Sequence, residues 1–276
     1  HIGRGYVVCN HHVIRSYFVD KDIPPFIADE ITLISFDHKE YSAKLIGTDE
    51  SYDLAVYHIR GAFPEDVAMF AEQEARSGME AFIIGHPMGS AGILDQKISY
   101  GWVGNTNKEL KNIGLRLFEL DMDVCHGNSG SPVFNIQGSV IGIVQSIFQI
   151  KDIPCSSFAS AILSHHAKKI VDDIIRYGKA RHAWIGVELK YEKYHGEWFP
   201  AVEKVVAGSP AERSGLKIGD IILSISGKPV RKIIDVKRII LEQSSAGEML
   251  IFRVMRDGTE RVITTMVAER LGKPPQ

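Results

Sequence analysis

The segment Asp121–Asn135, DMDVCHGNSGSPVFN, decides how the chain reads. Between two apolar stretches lies the small-residue run Gly127-Asn128-Ser129-Gly130-Ser131-Pro132. Gly, Asn, Ser and Pro are the ordinary residues of a surface turn. The same run can also hold one serine at the tip of a tight bend, with backbone N–H groups turned toward a common point. What separates a turn from a nucleophile is the company that Ser129 keeps.

Outward from this segment, the first 160 or so residues are a series of short apolar runs. They include YVVCN (6–10), EITLISF (30–36), YSAKLIG (41–47), LAVYHI (54–59), AFIIG (81–85), LRLFELDMD (115–123), SPVFN (131–135) and SVIGIVQSIF (139–148). Gly, Pro, Asn and acidic clusters separate them at close intervals, a pattern that predicts an all-β barrel or sandwich. The Gly- and Asn-rich stretch 85–112 is expected to supply mobile loops. In SAILSHHAKKIVDDIIRYGK, Ile162, His166, Ile170, Ile174 and Tyr177 recur at helical spacing, with Ser160 a candidate cap at the start and Gly178 at the end.

Residues 1–178 therefore form one domain and 179–183 a basic linker. A second unit of domain size covers 184–270, and 271–276 is a tail expected to fray. The second unit carries strands at WIGVEL, FPAVEKVV, DIILSISG, EMLIFRVM and ERVITTMV. Its helices are SPAERSGL and IIDVKRIILEQ, and Arg256-Asp257-Gly258-Thr259 is a hairpin signal between the last two strands.

The bulk numbers are those of a globular protein: 276 residues, 45% hydrophobic and 24% charged. A net charge of −2 gives no reason to expect nucleic acid or an anionic membrane as partner. No apolar run approaches the roughly 18 residues of a spanning helix. Position 1 looks like a cut end, so targeting signals are not legible. The cysteines Cys9, Cys125 and Cys155 are too few for a disulfide scaffold and leave at least one thiol unpaired.

Acyl transfer by a serine needs a base for its proton, a carboxylate to hold that base in one tautomer, and N–H donors for the oxyanion. VVCNHHVI offers His11 and His12 at the end of an apolar strand, and GTDESYDLAVYHI offers Asp53 at the start of another. The chain order His, Asp, Ser matches the chymotrypsin-like arrangement and not the subtilisin or hydrolase-fold orders. Gly127 lets the bend bring its own N–H and that of Ser129 to one point.

Together VVCNHHVI, GTDESYDLAVYHI, GHPMG, GNSGSPVFN with GSVIGI, SFASAI and AGSPAERSGLKIGDIILSISGKPV resemble the HtrA/Deg family of serine proteases over nearly the whole chain. The resemblance implies a mainly β fold, a chymotrypsin-like double β-barrel followed by a small α+β PDZ domain. It implies His12 as general base, Asp53 as its orienting carboxylate and Ser129 as nucleophile, with Gly127 and Asn128 shaping the oxyanion hole. His11 and Asp49 become structural. In the second unit it places Trp184, Ile185, Gly186 and Val187 at a loop that receives a peptide's terminal carboxylate, the peptide adding a strand to the sheet edge. Val236, Ile239 and Ile240 would line the side-chain pocket, with ordinary domain core as the alternative for each.

The chain departs from that family in three places. Cys125-His126 stands where the family usually has Asn-Pro. Trypsin has an Asp and a Cys at the offsets of Asp123 and Cys125, and the partner of that Cys near the offset of Cys155. A Cys125–Cys155 bridge and a specificity pocket involving Asp123, Gln145 and Ile147 follow from that likeness, and the bridge stays open at this point. Ile147 stands where trypsin has a glycine, so small or medium aliphatic residues are expected before the scissile bond rather than basic ones. Finally, only eleven residues precede His12, where family members have further strands, so the first barrel is expected to be short of strands and activity weakened.

The resemblance implies an ATP-independent endopeptidase acting on unfolded or damaged protein in a homotrimer or a multiple of it, with peptide C-termini bound at the PDZ domain. By the same likeness its compartment is a periplasm, mitochondrion, plastid or secretory space. A chaperone or peptide-binding adaptor on an inactive protease scaffold is the competing function. No cofactor and no metal are expected: His11/His12 and His165/His166 are sequence neighbours that should point to different sides, without a ligand set around them.

Overall fold

The computed structural model describes residues 1–15, 27–61, 66–86, 97–109, 116–147 and 155–270. The expected tail 271–276 and the GHPMG residues after His86 lie outside them. The chain divides into two compact units, the first running to Ala180 and the second from Arg181.

The first unit opens with β1 (Tyr6–Cys9), the single-turn helix α1 (His11–Ile14), β2 (Glu30–Ile34), β3 (Glu40–Asp49) and β4 (Leu54–Ile59). These strands form one antiparallel sheet in the order β1-β4-β3-β2. Its core is Ile14, Ala43, Ala55, Tyr57 and Ile59. Among the described residues this sheet is open. Even so, β1 stays in register on β4, from Tyr6 opposite His58 to Cys9 opposite Ala55.

β5 (Glu80–Gly85), β6 (Lys97–Val103), β7 (Lys108–Glu109), β8 (Arg116–Cys125), β9 (Pro132–Asn135), β10 (Val140–Ile147) and β11 (Cys155–Leu163) form the second sheet. Its order is β11-β10-β9-β5-β6-β8-β7, and β8 also pairs with β11, so six strands close into a barrel with β7 appended. On β8 the period of two is plain: Phe118, Leu120, Met122 and Val124 are buried, while Asp121 and Asp123 face outward. Burial of this inward row supplies roughly 1.5–3 kcal/mol per large apolar side chain.

Two local expectations change here. Lys97–Val103, expected among mobile loops, is the barrel strand β6. Its alternation is masked because Ile98, Tyr100 and Trp102 are exposed, while Gly101 allows the approach of β8: a Cβ at Gly101 would lie 2.1 Å from the Asp121 carbonyl. Ser160 is not a helix cap. Pairing of β11 with both β8 and β10 carries the strand to Leu163, and helix α2 (Ser164–Tyr177) starts without a side-chain cap. Gly178 ends it as expected, in the left-handed region with its N–H on the Ile174 carbonyl.

The second unit comprises β12 (Ala183–Trp184), β13 (Val187–Tyr194), β14 (Glu197–Val205), α3 (Pro210–Ser214), β15 (Ile221–Ile225), β16 (Lys228–Pro229), α4 (Ile233–Lys237), a π-helical turn over Arg238–Glu242, β17 (Met249–Arg256), β18 (Thr259–Met266) and β19 (Ala268–Glu269). Its main sheet runs β13-β14-β15-β17-β18, with β13 at one edge. Asp257 and Gly258 both have positive φ, the tight hairpin that the sequence announces. At α3, Ser209 accepts from the Glu212 N–H and Glu212 accepts from the Gly208 N–H, so two otherwise orphaned donors are satisfied.

One ion pair anchors this unit. Asp220 is fully buried and takes Arg256 in a fork, Nε to Oδ1 at 2.6 Å and a terminal nitrogen to Oδ2 at 2.7 Å. Arg256 also donates to the Gly215 carbonyl, and Asp220 accepts from the Lys217 N–H. Removing one partner strands the other charge in the interior. Asp220→Ala should cost about 3–5 kcal/mol, read by thermal unfolding of the full chain; a loss of stability below about 1 kcal/mol, the scale of an exposed pair, would refute the anchoring role.

Candidate active site

The site begins with a register. Cys9 stands opposite Ala55, so the residues that follow β1 meet those that precede β4. At Asn10 the backbone is extended, and the chain then turns into α1, which places His12 in a helical turn rather than at a strand end. His11 is buried and His12 half-exposed. Asp53 takes a left-handed backbone, φ 55°, just ahead of β4.

That geometry brings His12 and Asp53 together twice. The backbone N–H of His12 donates to Asp53 Oδ1 at 2.8 Å, and His12 Nδ1 lies 2.7 Å from Asp53 Oδ2. The main-chain carbonyl of Asp53 accepts from the Asn10 amide at 2.9 Å and from the His11 N–H at 3.1 Å. Upstream, Asp49 accepts from the Tyr52 N–H and shapes the turn, consistent with its expected structural role.

Ser129 follows β8. The Asn128 N–H reaches the Cys125 carbonyl across His126 and Gly127, whose φ of 97° only glycine adopts readily. The Asn128 side chain is buried and its Oδ1 accepts from the Cys125 N–H, so it ties the bend internally rather than pointing outward. Beyond Ser129, Gly130 donates to Val144 and Val144 donates to Ser131, both at 2.9 Å. Gly130 lies so close to β1 that a Cβ there would be 3.1 Å from the Asn10 nitrogen and 3.3 Å from Cys9 Cα. This approach sets the serine bend beside the turn that carries His12. Among the described residues, the Ser129 hydroxyl and His12 Nε2 do not form a closed hydrogen bond, and the N–H groups of Gly127 and Ser129 have no acceptor.

Cys9 is a free thiol, pushed up to about 12 first by burial and then by the negative charge of Asp53. Cys125 is disulfide-bonded, and the Cys155 backbone stands opposite it in the ladder. Asp123 is exposed and accepts weakly from Ser157 Oγ at 3.4 Å. Gln145 sits where the β10–β11 register slips, its Oε1 buried without a partner. The Ile147 side chain lies outside the described residues.

In the second unit Trp184 is on β12, Ile185 and Gly186 form the link to β13, and Val187 opens β13. The Ile185 and Gly186 carbonyls are taken by Ala211 and Val206, while their own N–H groups have no acceptor among the described residues. Gly186 has φ 86° and leaves no room for a Cβ, which would lie 2.2 Å from Ser209 Cβ. Val236, Ile239 and Ile240 are buried with Ile185 in the domain core, the alternative already weighed for them, because that helical face turns inward. The rings of His165 and His166, expected to diverge, lie 4.0 Å apart. Asn10, marked in the sequence only by its place directly before the histidine pair, donates to the Asp53 carbonyl.

Fold and site together define a two-part molecule, a β-barrel unit with a His–Asp pair beside a glycine-flanked serine bend, followed by a small α+β unit. Residues 2–143 match the Trypsin-like peptidase domain family and residues 202–252 match the PDZ domain family. The chain belongs to the trypsin-like peptidase family, in the HtrA/Deg combination with a PDZ domain.

Among relatives, it is 31% identical over 282 residues to a probable periplasmic serine endoprotease DegP-like of Marinomonas sp. (strain MWYL1), covering 98% of this chain and 56% of that protein. It is 25% identical over 289 residues to serine protease Do-like HtrB of Bacillus subtilis (strain 168), covering 97% of this chain and 60% of that one. The chain thus spans a little over half the length of these relatives. A solved structure titled HtrA-type protease AlgW with decapeptide is similar with a TM-score of 0.80 and 25% identity, covering 99% of this chain and 82% of that one.

The sulfur chemistry gives a direct check. Native protein at pH 8 should show almost no fast thiol titration, since burial keeps Cys9 protonated. Denatured without reductant, it should show one thiol; three would exclude the bridge at Cys125.

Proposed function

We propose that the chain is a serine endopeptidase that cleaves unfolded or damaged protein without ATP. His12 takes the Ser129 proton on Nε2 as Oγ attacks the carbonyl carbon, and Asp53 holds the opposite ring nitrogen and favours the imidazolium that forms. The unengaged N–H groups of Gly127 and Ser129 receive the oxyanion. The proton then passes from His12 to the leaving amine, and water hydrolyses the acyl-enzyme. The observation that carries this reading is the double contact of His12 with both carboxylate oxygens of Asp53. An open Ser129–His12 link in the absence of substrate fits, because such bonds tighten only when substrate is bound.

The PDZ unit binds peptide C-termini or extended strands at the β13 edge, with the free N–H groups of Ile185 and Gly186 toward the carboxylate. The protein works as a homo-oligomer, a trimer or a multiple of it, and a chaperone-like holding of unfolded chains accompanies proteolysis. Its compartment is extracytoplasmic: the bridge at Cys125 persists in an oxidising space, and relatives are named periplasmic.

A fluorophosphonate probe should label the native chain at Ser129 and leave Ser129→Ala unlabelled, with casein hydrolysis falling by about 10³-fold or more. Among peptide substrates, Val before the scissile bond should outpace Arg. An unlabelled native chain that still binds peptides through its PDZ unit would point instead to the adaptor function.

Gly186→Ala should abolish peptide binding, because the added methyl meets Ser209 and displaces the receiving loop. Fluorescence anisotropy with a free-carboxylate peptide and its amidated twin reads this. Equal binding of the two peptides by the native chain would overturn carboxylate recognition.

A further inference from the structure

We propose that Asn10 is a positioning residue for this reaction, setting the Asp53 carboxylate against His12; the reaction itself is the one proposed above. Asn10 is fully buried, and its amide nitrogen donates to the main-chain carbonyl of Asp53 at 2.9 Å. Asp53 sits at φ 55°, a conformation that a non-glycine residue keeps only when its surroundings over-determine it. Two donors converge on its carbonyl, the Asn10 side chain and the His11 N–H, and two converge on its carboxylate, both from His12. The carbonyl pair fixes the rotation of the Asp53 backbone. The carboxylate pair then receives a fixed orientation rather than creating it.

Asn10 also abuts the other half of the site. The space that a Cβ on Gly130 would occupy lies 3.1 Å from its backbone nitrogen. One residue therefore holds the backbone of Asp53 with its side chain, stands two positions before His12, and backs the residue after Ser129.

The side chain is not kept for its own satisfaction. Asn10 Oδ1 is buried with no hydrogen-bond partner, an arrangement that costs stability. An apolar residue would avoid that cost, but it could not donate to Asp53.

Asn10→Ala in the full chain tests this, with two readouts. The first is the rate of fluorophosphonate labelling and of peptide hydrolysis, expected to fall on the order of 10²-fold while KM moves by less than about threefold. The second, made in the Ser129→Ala background so that it needs no activity, is the proton NMR resonance of His12 Nδ1–H. In the parent it should lie far downfield through its contact with Asp53, and in the Asn10 variant it should broaden or move upfield.

If Asn10→Ala does not fold by circular dichroism, the isosteric Asn10→Asp, measured at pH 8, decides by the same readouts. A folded variant with labelling within about threefold of native and an unmoved resonance overturns the proposal. If the native chain is not labelled at all, the protease reading fails, and the resonance alone decides whether Asn10 sets the Asp53–His12 geometry.

Discussion

Gly130 rests against the backbone of Cys9 and Asn10, and this contact joins chemistry that would otherwise stay in two separate sheets. His12 and Asp53 belong to the four-stranded sheet, through the ends of β1 and β4. Ser129 belongs to the barrel, through the bend between β8 and β9. Strand pairing within either sheet does not set the serine bend beside the histidine turn. What does so is close packing at a point where the backbone has φ 82° and a methyl group would press on Asn10. The glycine is required twice, for its conformation and for its lack of bulk. The bend is also held from behind by Val144, so the serine is fixed between a strand of its own barrel and the turn of the other sheet.

Around this contact the protein spends local strain to gain orientation. The left-handed Asp53 costs on the order of 1–3 kcal/mol, and the unpartnered Oδ1 of Asn10 adds a desolvation cost of similar size. Hydrogen bonds to the Asp53 carbonyl and carboxylate offset these costs in the folded state. The Asp49–Tyr52 turn, closed at 2.8 Å, delivers the chain to Asp53 already curved. Such a ledger is typical of a site where orientation outweighs stability, whereas the Asp220–Arg256 pair of the second unit shows full satisfaction with no strain at Asp220.

Much of this was legible in the sequence, for reasons that differ by element. Most strands of the first unit announced themselves as short apolar runs between turn residues, and on β8 one face is plainly buried. β6 did not, since its outward residues are Ile98, Tyr100 and Trp102 and its inward row contains Gly101. The helix start was misplaced because Ser160 fits a cap locally, yet pairing on both flanks of β11 outweighs one capping bond. The meeting of His12 and Asp53 could be anticipated from the motifs around them, as could the glycine-flanked bend at Ser129. Asn10 could not, since a single asparagine between a strand and a histidine reads as turn filler until the Asp53 carbonyl is seen in front of it. Val236, Ile239 and Ile240 show the converse. Helical spacing identifies an apolar face, but only the fold tells whether that face lines a groove or the core.

The proposed reaction also requires that sulfur be kept out of its chemistry. A thiolate is a better nucleophile than a serine hydroxyl, and this chain carries one cysteine beside Asn10 and another four residues before Ser129. Each is silenced by a different means. Burial and the charge of Asp53 lift the Cys9 thiol to about 12, so its ionised fraction at neutral pH is on the order of 10⁻⁵. Cys125 is locked in a disulfide and has no proton to lose. The carboxylate that is hydrogen-bonded to His12 thus also helps to hold the nearby Cys9 thiol in its protonated form.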